Sequence, residues 1–415
     1  MRLTIFQREN WREISATLAR NKTRTFLTAF GIFWGTAMLA LLLGGATGFK
    51  GMMSRNFAGL STNLGAISSG SRTMSYKGFN KGTPWYLTVD DCDNILRVSP
   101  AIDKGSPVYY GSGVVLYGST NKTVNYNAIH PDYGRIIEPV IYSGRFLNDA
   151  DQAQARKVLV VGKNLAAEIF GADDPIGKRI SLRGVHFTVV GVAGQLGEAS
   201  ISSRIDDSIL LPYSTAQRSF NIGNQVHFFA FTAPAGHSPS ENEEAIRRYI
   251  SRRHAIHPDD KNAMWMMDLS EMFSVIDGLF LGLTLLAFFV GIGSLMAGVI
   301  GVGNIMWIVV KERTHEFGVR RAIGAKPADI TVQVLLESIT LTLIAGTAGV
   351  CFAAIVLGII DHVTADPLLG MAGFEISFGH ALAVLLIFFV LGTAAGTLPA
   401  LKAMRIKPIE ALRDK

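Results

Sequence analysis

Four stretches of this chain, 25–49, 278–310, 338–360 and 381–401, contain no Asp, Glu, Lys or Arg. Each is as long as the roughly 20 residues that a helix rising 1.5 Å per residue needs to cross the hydrocarbon core of a bilayer. A soluble domain has no use for four such runs, so the spacing predicts four transmembrane helices. The second run is longer than one crossing requires, and its helix is expected to project beyond the bilayer or to tilt. Read as a signal peptide, the first run would have too long an apolar region behind too many residues, with no small-residue cleavage site after it. Only 17% of the chain is charged and 49% is hydrophobic, as a membrane protein requires.

Orientation follows from the flanks, because Lys and Arg near a span stay on the cytoplasmic side. Residues 1–24 hold Arg2, Arg8, Arg12, Arg20, Lys22 and Arg24, and residues 311–327 hold Lys311, Arg313, Arg320, Arg321 and Lys326. The tail 402–415 holds Lys402, Arg405, Lys407, Arg413 and Lys415. The loop 361–380 has Asp361, Asp366 and Glu375 but no Lys or Arg. Both termini are therefore expected inside, with 50–277 and 361–380 outside. The net charge of +6 is explained by these flanks without a nucleic-acid partner. Two cysteines, Cys92 and Cys351, exclude a disulfide framework and a cysteine-based zinc site.

Segment 50–277 is long enough to bury its own core. Its runs Lys157–Val161 and Phe187–Val192 are short, β-branched and flanked by Gly or polar residues, the pattern of strands. Stretches 163–170 and 240–254 have helical spacing. In the latter Ala245, Ile246, Tyr249 and Ile250 are expected on one side and Arg247, Arg248, Arg252 and Arg253 on a solvated face. Residues 76–84 read as an exposed loop.

The sequence offers no catalytic constellation. Gly171-Ala-Asp-Asp-Pro-Ile-Gly177-Lys178-Arg179 imitates a phosphate-binding loop, but its glycines are one residue too far apart and Arg179 replaces the Mg²⁺-binding Ser or Thr. With no Walker sequence elsewhere, the chain is not expected to hydrolyse ATP, to be an enzyme or to hold a cofactor. His254, His257 and His362 are expected to be structural rather than metal ligands. The four runs contain no ionisable group, which argues against proton- or sodium-coupled transport. Energy for any transport would come from a separate protein on a cytoplasmic surface.

Residues 311–325 suit that task. Glu316 and Arg320 stand at i, i+4 in the favourable order; Gly324 can end one helix, and Pro327 can open the next with Asp329 in its first turn. The charged residues Lys311, Glu312, Arg313, Glu316, Arg320 and Arg321 are the candidate ATPase-coupling residues. Ahead of the first span, Trp11, Ile14 and Leu18 repeat at helical spacing among Arg8, Arg12 and Arg20, an amphipathic helix for the inner leaflet. Gly31-x-x-x-Gly35 and Gly44-x-x-x-Gly48 would let another helix approach the first span.

Four stretches together resemble the MacB/LolC/FtsX-type permeases of ABC transporters, the type VII fold. They are Leu18-Ala-Arg-Asn-Lys-Thr-Arg24 through Gly31 at the first span; Gly144-Arg-Phe146 with 155–192 in the external segment; Lys311 to Ala325; and Pro399-Ala-Leu-Lys-Ala403 with Lys407 to Leu412. The resemblance covers essentially the whole chain and is nearest to the MacB type. It implies an α-helical membrane protein with four transmembrane helices and a large α+β periplasmic domain of two subdomains between the first and second spans. The inserted distal subdomain is expected at 136–205 and the membrane-proximal one in the rest of 50–277. Span 2 with its stalk is expected at 278–310 and the cytoplasmic coupling segment at 311–337. Only about two dozen residues precede the first span, so the ATPase is expected to be a separate polypeptide. Further implied are a permease homodimer or paralogue heterodimer bound to two ATPase subunits, mechanotransmission through the stalk, and residence in the bacterial inner membrane. Export of a small molecule or peptide with a periplasmic adaptor and an outer-membrane channel leads. Lipoprotein extraction from the inner membrane and signalling to a periplasmic cell-wall hydrolase are the rivals.

Overall fold

The computed structural model describes residues 22–404 except 100, 367 and 368. The expected helix around Trp11 and the tail beyond 404 lie outside the described residues. In chain order the helices of eight residues or more are α1 (Lys22–Asn56), α2 (Val89–Val98), α3 (Lys163–Phe170), α4 (Tyr213–Phe220), α5 (Glu243–Arg253), α6 (Leu269–Glu312), α7 (Thr314–Ala322), α8 (Pro327–Val363) and α9 (Phe378–Met404). The chain divides into two compact units, one of Met1–Met52 with Leu279–Lys415 and one of Met53–Gly278.

In the first unit α1, α6, α8 and α9 are long and apolar enough to cross a membrane. Helix α6 runs unbroken for 44 residues, roughly 66 Å at 1.5 Å per residue, which is about twice the hydrocarbon thickness. Ile32 and Leu39 of α1 pack with Val302 and Met306 of α6, Ala345 of α8, and Val384 and Phe388 of α9. The opposite faces leave large apolar side chains such as Phe289 and Ile300 exposed, as lipid contact requires.

Small residues set how closely these helices approach. Ser338 Oγ donates to the Gly392 carbonyl of α9 at 3.0 Å, and a Cβ at 392 would lie 2.8 Å from Thr342. Of the two spaced glycine pairs, Gly35 faces Ser294 of α6 and Gly44 faces Leu357 of α8, while Gly48 admits the Phe374 ring of the loop before α9. A Cβ at 48 would sit 2.2 Å from that ring, so the second pair serves a loop as well as a helix.

The four runs hold no ionisable group, but the helices that contain them are longer than the runs. Helix α8 extends past 338–360 at both ends and buries Glu337 and Asp361. Asp361 Oδ1 accepts the N–H groups of Gly373 and Phe374 at 2.9 and 3.1 Å, which fastens that loop to the end of α8. Helix α8 also begins at Pro327, so the last part of the expected coupling segment 311–337 is the first turns of a long helix.

The second unit is α+β. Its strands are β1 (Leu64–Ser69), β2 (Leu87–Thr88), β3 (Lys104–Tyr117), β4 (Thr120–Ile129), β5 (Val140–Gly144), β6 (Val158–Gly162), β7 (Arg179–Leu182), β8 (Val185–Gly194), β9 (Ser208–Pro212), β10 (Gln225–Val226), β11 (Phe228–Thr232) and β12 (Met264–Asp268). Ten form one sheet in the order β12-β1-β11-β3-β4-β9-β6-β8-β5, with β7 pairing β3 and β8. Successive residues point to opposite faces, so Val160 and Phe228 enter one core while Val161 and Phe229 enter the other. The apolar run at Val158–Val161 follows from burial on both faces. Strands of 136–205 continue the sheet of the remainder, β6 pairing β9 and β7 pairing β3, so no break in the sheet marks the expected subdomain boundary.

The expected helix at 163–170 is α3, and the imitation phosphate loop turns from it into β7. Gly171 and Gly177 there hold positive φ angles of 61° and 78°, which their lack of a Cβ permits. The arginine face of α5 is less uniform than expected. Arg247 pairs with Glu243 at 2.7 Å, and Arg253 donates from Nε to Asp91 at 2.7 Å. Asp91 is fully buried in α2 and also meets His254 Nε2 at 2.9 Å, Thr88 Oγ1 at 2.6 Å and the Thr88 N–H at 2.9 Å.

Candidate functional site

Helix α6 stops at Glu312, and Arg313, at φ −97° and ψ 10°, turns the chain into α7. Thr314 Oγ1 donates to the Val310 and Lys311 carbonyls at 3.1 and 2.8 Å, satisfying acceptors that the break would leave open. Gly324, at φ 106°, then reverses the chain toward Pro327, and the Lys326 N–H is capped by Asp329 Oδ2 at 3.2 Å. Chain reversal, proline opening and acidic cap all stand where the sequence predicted them.

The short helix is fixed in two ways. Phe317 is wholly buried among Val310, Ile330, Val334 and Ala400, which draws together α6, α7, α8 and α9. Around it runs a polar network. Arg313 donates from Nε and Nη2 to the two oxygens of Glu316, both at 3.0 Å, and its Nη1 lies 3.6 Å from Glu337 Oε2. Arg320 donates from Nη2 to Glu316 Oε1 at 2.8 Å and from Nη1 to Gln333 Oε1 at 3.2 Å. The Arg313 guanidinium also lies 5.1 Å from the Phe317 ring centre. The hydrogen bonds from Arg313, joined by the nearby charge of Arg320, hold the Glu316 carboxyl below its usual pKa range despite partial burial.

Three of the six candidate residues, Arg313, Glu316 and Arg320, are thus brought into one cluster that faces inward onto α8. Lys311 and Glu312 are exposed at the end of α6, and Arg321 is partly buried on α7. Sequence reasoning missed Gln333, Glu337 and Phe317. Glu337 directly precedes an uncharged run and reads there as a span boundary; its distance from Arg313 exists only after α7 folds back on α8. Ile323, at 82% exposure, is the most exposed large apolar side chain of this region. The cluster contains no nucleophile paired with a base; what it can do is keep a short helix in fixed relation to three long ones.

Four membrane-length helices, with an α+β unit carried in the chain between the first two and a clamped helix directly after the second, define a multi-span membrane protein. The chain matches the MacB-like periplasmic core domain over residues 25–249 and the FtsX-like permease C-terminal region over 287–408, and it belongs to this family of ABC-transporter permeases. The macrolide export ATP-binding/permease protein MacB of Chlorobaculum tepidum is 30% identical over 96% of this chain and 60% of that protein. The pyoverdine export ATP-binding/permease protein PvdT of Pseudomonas aeruginosa is 29% identical over 95% of this chain and 57% of that one. The chain therefore spans about 60% of the length of these curated relatives, and the two matched regions are of permease type. Among solved structures, the periplasmic region of MacB from Actinobacillus actinomycetemcomitans is similar over 53% of this chain and 94% of that one, at 20% identity and a TM-score of 0.43.

Proposed function

We propose that this chain is the permease of an ATP-driven exporter of the bacterial inner membrane that works by mechanotransmission. The observation that carries this reading is the unbroken 44-residue α6 ending in a helix clamped through Arg313 to Glu316 and Glu337. A helix resists bending over several turns, so displacement of α7 by a docked protein travels along α6 rather than dissipating in a loop. The residues that receive the push are Lys311, Glu312, Arg313, Glu316, Arg320 and Arg321: Arg313, Glu316 and Arg320 by holding α7 in place, Lys311 and Glu312 by exposure, and Arg321 from its partly buried place on α7. The partner is a separate ABC ATPase, two copies on a permease homodimer or paralogue heterodimer. A periplasmic adaptor and an outer-membrane channel complete the path for a small molecule or peptide, a direction in keeping with the export names of the relatives. In this reading 136–205 is the distal part of the external domain, and both termini are cytoplasmic.

Copurification from membranes, with every partner identified, tests the assembly: an ATPase subunit should appear, and its absence removes the reading. Purified by itself, the chain should hydrolyse ATP no faster than background. Nucleotide turnover by a demonstrably pure chain would show that no second polypeptide is needed. Topology has its own test in a variant without native cysteines. Single cysteines at the exposed positions Asn121 and Met371 should react with an impermeant maleimide in intact cells, and one at His315 should react only after lysis. Labelling at His315 in intact cells reverses the orientation.

A further inference from the structure

One face of the α+β sheet changes character along its strands. Toward one end it is core, where Ala66, Val108 and Phe228 are buried. Farther along the same face it is uncovered: Ser68 stands opposite Trp265 across β1 and β12, Tyr110 opposite Asn127 and Ser112 opposite Asn125 across β3 and β4. Residues directly opposite on paired strands share a face, so these side chains form one surface. Tyr110 and Trp265 are each about half exposed, at 53% and 54%.

This surface is walled into a cleft. The rest of its lining includes Ile201, Ser202 and Ser203, in a segment that is tied down. Asn127 donates to Ser203 Oγ at 2.8 Å and accepts from Ser202 Oγ at 2.7 Å, and Ser200 Oγ binds the carbonyls of Ser202 and Ser203. Ile201 lies between. The main cavity measures about 680 Å³, and a neighbouring one of about 190 Å³ shares Tyr110, Ile201 and His227 with it and reaches Trp265. That volume lies within the range of small-molecule sites, about 300–1,000 Å³.

The lining chemistry is specific. No Asp, Glu, Lys or Arg lines either cavity. The His227 ring stacks on Tyr109 at a centroid distance of 4.4 Å and lies tilted against Tyr110 at 4.1 Å, and its Nδ1 accepts the Tyr110 N–H at 3.1 Å. Nε2 therefore carries the proton of the neutral ring. Burial also pushes the imidazole pKa down, toward that neutral form. Aromatic faces at Tyr110 and Trp265 offer stacking, while the side chains of Ser68, Ser112 and Asn125 have no hydrogen-bond partner among the described residues. An ionic ligand would lose hydration here with no opposite charge to replace it.

We propose that the cleft lined by Tyr110, His227, Trp265 and residues 201–203 binds an uncharged molecule presenting a flat ring together with hydroxyl or carbonyl groups. Binding there is independent of the ATPase-coupling reading, because it requires neither nucleotide nor partner.

The test uses the full chain in lipid nanodiscs and equilibrium dialysis of 4-nitrophenyl β-maltoside, with empty nanodiscs as background. The wild-type chain should take up the probe saturably. The ring-matched anion 4-nitrobenzoate and cation 4-nitrobenzylammonium should bind at least tenfold more weakly. Trp265→Ala and Tyr110→Ala should each weaken uptake about 2–10-fold, the range expected for one aromatic contact. Ser112→Trp, which fills the cleft from an exposed position, should abolish uptake while leaving the thermal transition unchanged. Uptake that is not saturable, that is equal for the charged probes, or that persists in Ser112→Trp overturns the proposal. So does a wild type that takes up nothing while Trp265→Ala changes its oligomeric state, for then the face is an interface between copies.

Discussion

Under the proposed coupling to a separate ATPase, Glu316→Lys is expected to remove most of the binding and stimulation of that ATPase, while membrane insertion and the proposed dimer survive. The substitution sets three cations, the new lysine, Arg313 and Arg320, where one carboxylate now joins two guanidinium groups. Charged hydrogen bonds of this type are worth about 1.5–3 kcal/mol each when shielded, and less where water competes. Arg313 is largely shielded, at 12% side-chain exposure, but Glu316 is at 41%, so a total of about 2 kcal/mol is the reasonable expectation. That is roughly a thirtyfold shift in the population of a correctly held α7. Arg320→Glu should act in the same direction, and Arg413→Glu in the tail should do much less. The structure adds a further variant: Glu316→Arg combined with Arg320→Glu rebuilds the 316–320 ion pair but leaves Arg313 facing a second guanidinium. Recovery of ATPase stimulation in the double variant places the role in holding α7. Failure to recover, with both single variants defective, places the loss either in the Arg313–Glu316 contact, which the swap does not rebuild, or in contact with the ATPase. If both single variants stimulate as wild type does, the coupling assignment is lost.

Asp91→Ala should lower the stability of the α+β unit by about 3 kcal/mol, the low end of the cost of stripping a buried charge cluster of one member. The low end applies because Arg253 is 46% exposed and can return to water, whereas His254 at 17% exposure cannot do so fully. For a unit of this size the transition should fall by roughly 6–12 °C. Hydrogen exchange of the full chain should show the lost protection first in α2, whose opening turn Asp91 caps together with Thr88. Burial by itself raises the Asp91 pKa, but hydrogen bonds from His254 and Thr88 outweigh it and hold the group below its usual value. A carboxyl depressed in the folded state contributes stability that is complete above its unfolded pKa and is lost as pH falls through the folded one. The wild type should therefore lose stability steeply below about pH 4, and Asp91→Asn should show a shallower slope there. Equal slopes would mean that the cluster contributes little.

Much of the architecture was legible because it rests on signals that need no partner. Four uncharged runs of membrane length, the β-branched runs at Val158–Val161 and Phe187–Val192, and Gly324 before Pro327 are local statements about hydropathy and backbone geometry. The structure reproduces each as a helix, a strand or a chain reversal. The coupling stretch was legible in part: its i, i+4 pair forms at 2.8 Å, as the spacing required.

What the sequence by itself determined was thus the kind of element at those places and the four long apolar helices among the described residues. Tertiary structure decided what those elements touch. It placed Glu337 beside Arg313, seated Phe374 against Gly48, and carried Trp265 onto the sheet face that bears Tyr110. The physical reason is range. Hydropathy and φ preference act within a few residues and leave a periodic trace. A hydrogen bond or a ring contact acts over a few ångströms between positions that the sequence holds far apart, and it leaves none.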